Sequence, residues 1–240
     1  MTISTSSRIV LIGATSGIGL AIARRAAESG AAVTIASRRP ESIERALGQL
    51  PAGVVGRAVD ASSSQAVAGF FDEIGEFDHF AYTAAENLTG FPMADYTVES
   101  AQQFFALRLF HMLDAVRLAV PHLTSHGSIT LMSGTAAFKG GAGWTLGTAV
   151  SGAVVSAARS LAVELAPLRV NVVAPGVVRS PLWSQMSEED REGMYASLSE
   201  SLPLKRVGEP DDVAKAFLAL MDQDYVTGTV SVVDGGTLIS

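Results

Sequence analysis

The chain has 240 residues, of which 48% are hydrophobic and 17% charged, enough for one α/β domain with a large core. A formal net charge of −7 argues against a nucleic-acid partner. The absence of cysteine excludes disulfides, thiolate metal sites and a thiol nucleophile.

No uninterrupted apolar run approaches the roughly 20 residues a membrane helix needs. The opening M-T-I-S-T-S-S-R lacks the apolar core of a signal peptide. A cytoplasmic location with no membrane contact is therefore expected. No two histidines or carboxylates have metal-ligand spacing, so no metal is expected either.

Ile9 to Ile12 is a short apolar run suited to a strand buried on both faces. Gly13, Gly17 and Gly19 break it, and Ile18, Ala21, Ile22 and Ala26 then recur at helical spacing. Strand, glycine turn and helix start form an anion site, because free backbone N–H groups and the helix dipole converge there. Its place at the first strand-to-helix junction is where a dinucleotide fold needs it.

Gly30 stops that helix, and Ala32 to Ser37 reads as the second strand, with Pro40 in the first turn of the next helix. Val54 to Val59 is the third strand, ending at Asp60, and Ser62, Ser63 and Ser64 offer a cap for a helix through Ile74. Phe77 to Tyr82 is the fourth strand, and one long helix is expected from Val98 to Val120. Ser128 to Met132 is the fifth strand, followed by the loop G-T-A-A-F-K-G-G-A-G.

Trp144 to Leu165 reads as a helix rich in small residues, including Ala149, Ser151, Gly152, Ala153, Ser156 and Ala157. Such a face suits close packing on another helix, including a neighbouring subunit's. Val170 to Val173 is the sixth strand, stopped by Pro175-Gly176. Asp211 or Asp212 is expected to cap a helix to Met221, and Thr229 to Val233 forms the last strand. The alternation predicts a single domain over 1–240: a Rossmann-type, doubly wound parallel β-sheet flanked by helices.

The corner after the second strand decides which nucleotide fits. A carboxylate there binds the ribose hydroxyls of NAD. This chain instead reads Ser37, Arg38, Arg39. A guanidinium binds a 2′-phosphate in bidentate fashion where a carboxylate would repel it, so NADP(H) is the expected cofactor, with Arg38 as the main contact.

G-A-T-S-G-I-G (Gly13 to Gly19), Asp60, R-V-N-V-V-A-P-G (Arg169 to Gly176) and V-T-G-T-V-S-V-V-D-G-G (Val226 to Gly236) together resemble the short-chain dehydrogenase/reductase family nearly end to end. The resemblance implies that Gly13, Thr15, Ser16, Gly17, Ile18 and Gly19 cradle the cofactor. It implies that Asp60 and Ala61 flank the adenine, and that Pro175, Gly176 and Val178 line the nicotinamide. Ser180 stands where the family commonly has an amide-binding threonine. Thr83 and Ala84 fall in Y-T-A-A, which replaces the family's N-N-A-G, and Ile12 replaces its leading threonine.

The resemblance also implies an Asn, a Ser and a Y-x-x-x-K pair in catalysis, the lysine lowering a phenol pKa of about 10. Ser133 matches the serine. Counted back from R-S-L-A-V-E-L, the tyrosine and lysine positions hold Gly147 and Ser151; counted forward from Ser133 they hold Leu146 and Val150. The asparagine position holds Arg108.

Ser133 is thus the expected catalytic residue, a hydrogen-bond donor rather than a nucleophile. Tyr82 is a candidate proton donor or a mere cofactor-wall aromatic. Arg108 is a candidate source of positive charge for an oxyanion, against a plain ion pair. His111, one turn beyond, is expected to share its face, and Lys139 to be solvated.

Residues 182–204, with Leu182, Trp183, Met186, Met194, Tyr195 and Leu198, stand where the family keeps a substrate lid. Two readings follow. The first is an NADPH-dependent oxidoreductase acting on a small carbonyl, quinone or imine-like acceptor. The second is a catalytically inactive NADP(H)-binding protein, a redox sensor or partner subunit. Under either, the family likeness implies a homodimer or homotetramer built on the two long helices.

Overall fold

The protein is described by a computed structural model covering residues 3, 5–88 and 90–240. The stretch read for a signal segment lies partly outside the described residues, at Met1, Thr2 and Ser4. The elements run β1 (Arg8–Ile12), α1 (Gly17–Glu28), β2 (Ala32–Ser37), α2 (Pro40–Leu47), β3 (Val55–Ala58), α3 (Ser64–Ile74) and β4 (Phe77–Tyr82). Next come α4 (Val98–Phe105), α5 (His111–Ala119), β5 (Leu123–Met132), α6 (Thr145–Glu164), β6 (Arg169–Pro175), α7 (Glu188–Ser201), α8 (Pro210–Asp222) and β7 (Val230–Val233).

The strands form one parallel sheet in the order β3-β2-β1-β4-β5-β6-β7. Alternate residues of β1 feed the two faces. Val10 and Ile12 join Phe71, Phe80, Met112, Val116 and Val154 on the face covered by α3, α5 and α6. Ile9 and Leu11 join Ile22, Val33, Ile35 and Phe217 on the face covered by α1 and α8. Burial on both sides is why these strands read as continuous apolar runs.

Several motif residues hold this frame together. Arg169 donates to the Leu220 and Met221 carbonyls at the end of α8 (2.7 and 2.8 Å), where a helix leaves its last carbonyls unpaired. Asn171 bridges β6 to the turn before β7 through the Val226 carbonyl and the Thr229 N–H. Asp234 accepts from Gly236 and Leu238 N–H in the final turn.

The structure corrects three expectations. The long helix from Val98 to Val120 is interrupted by a π-helical turn at Ala106–Phe110. β5 begins at Leu123 rather than Ser128, and a register shift between Phe77 and His79 absorbs the difference. α8 is capped by Glu209, with Asp212 accepting from the Glu209 N–H at 3.0 Å; Asp211 instead pairs with Arg25 of α1. α6 spans 20 residues and holds an 18-residue window of mean hydropathy 1.4, long and apolar enough by length and composition to cross a membrane, though Ser151, Ser156 and Arg159 interrupt any continuous apolar run. Its apolar residues Val150, Val154, Val155, Ala158 and Ala162 are buried inside the fold, as in the core helix of an α/β domain.

Candidate active site

The sheet order reverses between β1 and β4, and a cleft of about 690 Å³ opens there at the carboxyl ends of the strands. Gly13, Thr15, Ser16, Gly17, Ile18 and Gly19 line it, with Ser37, Arg38, Arg39, Asp60, Ala61, Thr83, Ala84 and Ser180. The three glycines do different work. A Cβ on Gly13 would lie 2.3 Å from the Ala84 nitrogen, and one on Gly19 would lie 2.4 Å from the Gly13 oxygen. Those two serve the chain's own packing. Gly17 (φ +52°) faces the cleft, its nearest outside atoms being Ser180 Cβ and Pro181 Cδ, 3.4 and 3.6 Å from a Cβ placed on it.

Ser16 caps α1 with no side-chain bond, and the first turn carries no acidic residue, so the positive end of the helix dipole meets the cleft uncompensated. Arg38 and Arg39 are exposed at its far end. Asp60 accepts from Ser62 N–H and Oγ (3.0 and 2.7 Å); these bonds, the backbone one first, hold its carboxyl below the usual range. Glycine backbone, dipole and guanidinium cations are a donor set that fits a phosphorylated dinucleotide.

Beyond Thr83, Ala84, Ala85, Met132 and Leu182, which line both spaces, the cleft continues into a pocket of about 460 Å³. Its walls include Ser133, Gly134, Trp144, Gly147, Val150, Ser151, Pro175, Gly176, Val177 and Trp183. Trp144 meets Trp183 edge to face, with centroids 6.3 Å apart. Ser133 Oγ donates to the Ser151 carbonyl of α6 at 2.9 Å.

Gly147 and Ser151 both face the pocket, whereas Leu146 is buried away from it. Residues 182–204 form a short 3₁₀ turn (Pro181–Trp183) and α7, in which Trp183, Tyr195 and Leu202 pack with Val207 and Trp144. Leu182, Trp183 and Met194 reach the pocket.

Tyr82 is 2% exposed and its hydroxyl donates to the Leu107 carbonyl at 2.9 Å. Burial pushes its phenol well above the ordinary value, so it stays neutral and lines the pocket with its proton held by a backbone carbonyl. Val178 does not line the cleft: its side chain is buried in the core, its carbonyl accepts from the Trp183 indole N–H, and Val177 lines the pocket instead. Arg108 lines the pocket and donates to the Phe104, Glu86 and Asn87 carbonyls, with no hydrogen-bonded carboxylate among the described residues.

His111, displaced by the π-turn, lines the dinucleotide cleft and not the pocket. Lys139 is not free but donates to the Thr237 and Ser240 carbonyls (2.9 and 2.8 Å). Among the described residues, no group of three or more His, Cys, Asp or Glu is placed to hold a metal. Of the two counts left open for the tyrosine and lysine positions, Gly147 with Ser151 turns wholly to the pocket, whereas of Leu146 with Val150 only Val150 does. Leu88 and Val154 are further walls that the sequence did not single out, because they carry no chemical signature.

A family profile described as Enoyl-(Acyl carrier protein) reductase matches residues 13–237. The chain is 30% identical to the short-chain dehydrogenase/reductase ucsE of Acremonium sp, covering 97% of this chain and 95% of that protein. A small-chain dehydrogenase solved in complex with NADPH is 31% identical, with a TM-score of 0.85 over 98% of this chain and 99% of that one. An NADPH-bound short-chain oxidoreductase from Pseudomonas aeruginosa PAO1, described as containing an atypical catalytic center, is 26% identical, with a TM-score of 0.92 over 100% of both chains. With a parallel sheet in this order, a glycine-bounded cleft at its switch point and relatives matched from end to end, the chain belongs to the short-chain dehydrogenase/reductase family.

Proposed function

We propose that this protein is an NADP(H)-dependent oxidoreductase whose pocket works without the family's tyrosine and lysine. Its acceptor is a small carbonyl, quinone or imine-like molecule. The observation that carries this reading is the continuity of an arginine-ended dinucleotide cleft with an open, largely apolar pocket beside Ser133. Similar chains solved with NADPH support the choice of dinucleotide.

In this reading Gly17 and the start of α1 hold the pyrophosphate, and Arg38, with Ser37 and Arg39, holds the 2′-phosphate. Asp60 and Ala61 flank the adenine, while Pro175, Gly176 and Ser180 border the nicotinamide. The cofactor supplies hydride. The chain supplies position: Trp183 and Met194 of the 182–204 lid, with Trp144, wall the pocket, and Ser133 turns its hydroxyl from the Ser151 carbonyl to the acceptor.

General acid help contributes about 3–5 kcal/mol, whereas holding the reactants in contact contributes roughly 7–11 kcal/mol. Losing the tyrosine therefore narrows the substrates to those needing little proton assistance. It does not abolish turnover.

An acceptor screen tests this by following NADPH absorbance. Quinones or conjugated acceptors are expected to turn over and simple ketones to lag. Ser133→Ala is expected to lower kcat about tenfold or more. Tight NADPH binding without oxidation by any acceptor would favour the second reading, a non-catalytic NADP(H)-binding protein. That alternative is favoured by one observation: the Ser133 and Tyr82 hydroxyl protons are both already committed to backbone carbonyls. The outer face of α6, where Ala149, Ser156 and Val163 are exposed, is the proposed seat of a second copy in a homodimer or homotetramer.

A further inference from the structure

The pocket beside Ser133 has an unusual charge balance for this chain. The protein carries a net −7, yet the pocket lining holds two cations, Arg108 and Lys139, and no carboxylate. The two cations are not equivalent. Lys139 is exposed and its ammonium is held by the Thr237 and Ser240 carbonyls.

Arg108 is half-buried and sits in the π-turn, where the helical ladder is interrupted. Nη1 donates to the Phe104 carbonyl at 3.3 Å. Nη2 donates to the Glu86 and Asn87 carbonyls at 2.6 and 3.2 Å. The Phe104 ring covers one face of the guanidinium at 4.3 Å. These partners orient the side chain but bring no formal negative charge. Among the described residues, three of its five N–H groups are used this way, which leaves Nε–H and one Nη1–H. Burial pushes the guanidinium pKa down, with the Glu86 carboxylate opposing from a distance, and arginine still stays charged. A desolvated cation with donors to spare, on the wall of an apolar pocket, is completed by an anion.

We propose that Arg108 forms an oxyanion subsite, and that the pocket selects flat, apolar acceptors whose reduced form carries negative charge on oxygen: quinones and conjugated enones, in preference to iminium cations. This rests on the oxidoreductase reading above and narrows its acceptor class. A quinone that gains hydride, two electrons and one proton, becomes a hydroquinone monoanion, and one further proton from water completes the hydroquinone. The monoanion is what Arg108 would stabilise, whereas an iminium ion would be repelled. The Trp144–Trp183 pair supplies aromatic walls for a flat ring.

The test uses 4-nitrophenol, a flat phenol whose ionised form is coloured, bound to the whole protein without nucleotide. The bound phenol is expected to titrate about one pH unit or more below the free compound. Arg108→Leu and Arg108→Gln are expected to erase that displacement, Arg108→Lys to restore part of it, and Lys139→Met to leave it in place. The glutamine variant keeps an amide donor without charge and stands in where the leucine variant fails to fold.

A bound phenol that titrates at or above its free pH, a displacement that survives loss of Arg108, or one that vanishes with Lys139→Met overturns the proposal, as does failure of 4-nitrophenol to bind. NADPH affinity is measured on the same samples. A displaced phenol in a protein that ignores NADPH would sink the cofactor reading while leaving the anion subsite standing.

Discussion

Tyr82 and Ser133 show how little residue type says about chemistry until the proton is located. Both carry hydroxyls at the carboxyl edge of the sheet, where α/β folds put their ligands. Tyr82 spends its proton on the Leu107 carbonyl, and burial pushes its phenol upward, so it stays neutral through the physiological range. Tyr82→Phe is therefore expected to cost about 1 kcal/mol of stability and to leave the pH profile of any turnover unchanged. Loss of an ionisation from that profile would return Tyr82 to the proton-donor role. Ser133 donates to Ser151, whose small side chain leaves the pocket open where a long one would fill it. At the other end of the cleft, exposed Arg38 is free to meet a 2′-phosphate.

At the scale of elements, the β1–loop–α1 unit was legible because each signal has a local cause: a buried apolar run, glycines at the break and a helical period after them. The structure adds what each glycine is for. A methyl on Gly19 would lie 2.4 Å from the Gly13 oxygen and 2.6 Å from Thr83 Oγ1. Gly19→Ala is therefore expected to cost about 1–3 kcal/mol in thermal or urea unfolding. Gly69→Ala, on α3 with open space around it, is expected to be neutral or stabilising. Equal effects would show that the loop does not pack as tightly as the structure describes.

The π-turn at Ala106–Phe110 was illegible, because its sequence A-L-R-L-F keeps ordinary helix formers and the extra residue is imposed by tertiary partners. Tyr82 of β4 holds the Leu107 carbonyl there. The same applies to α8. Acidic residues at its start were visible, but only the packing of α1 shows that Asp211 belongs to Arg25 while Asp212 belongs to the cap. In the site, the glycine turn could be read from spacing, while Ser133, Arg108 and the residues of 182–204 came from the family resemblance. The walls Leu88 and Val154, brought in from distant segments, could not be read.

At the scale of the molecule, the sheet carries a pH-sensitive contact far from the cleft. His79 is buried in β4, its ring nitrogen 2.8 Å from Ser128 Oγ. Burial first, and nearby Arg169 second, lower its pKa from 6.5 to about 4. The unfolded chain takes up a proton below 6.5 that the folded chain refuses until about 4, so stability is full above that window and falls as pH drops through it. The gap corresponds to about 3 kcal/mol, and His79→Gln is expected to flatten urea-unfolding stability between those pH values. An unaltered slope would mean that other groups set the acid limit.

The whole arrangement, two apolar layers around a parallel sheet with a cation-ended cleft at its switch point, exists in this account to hold one dinucleotide. Calorimetric titration with NADPH and NADH tests that most directly. The account predicts that NADPH binds about tenfold or more tighter than NADH, and that Arg38→Asp removes the difference by weakening NADPH alone. Binding of neither nucleotide, or a preference for NADH, would contradict it.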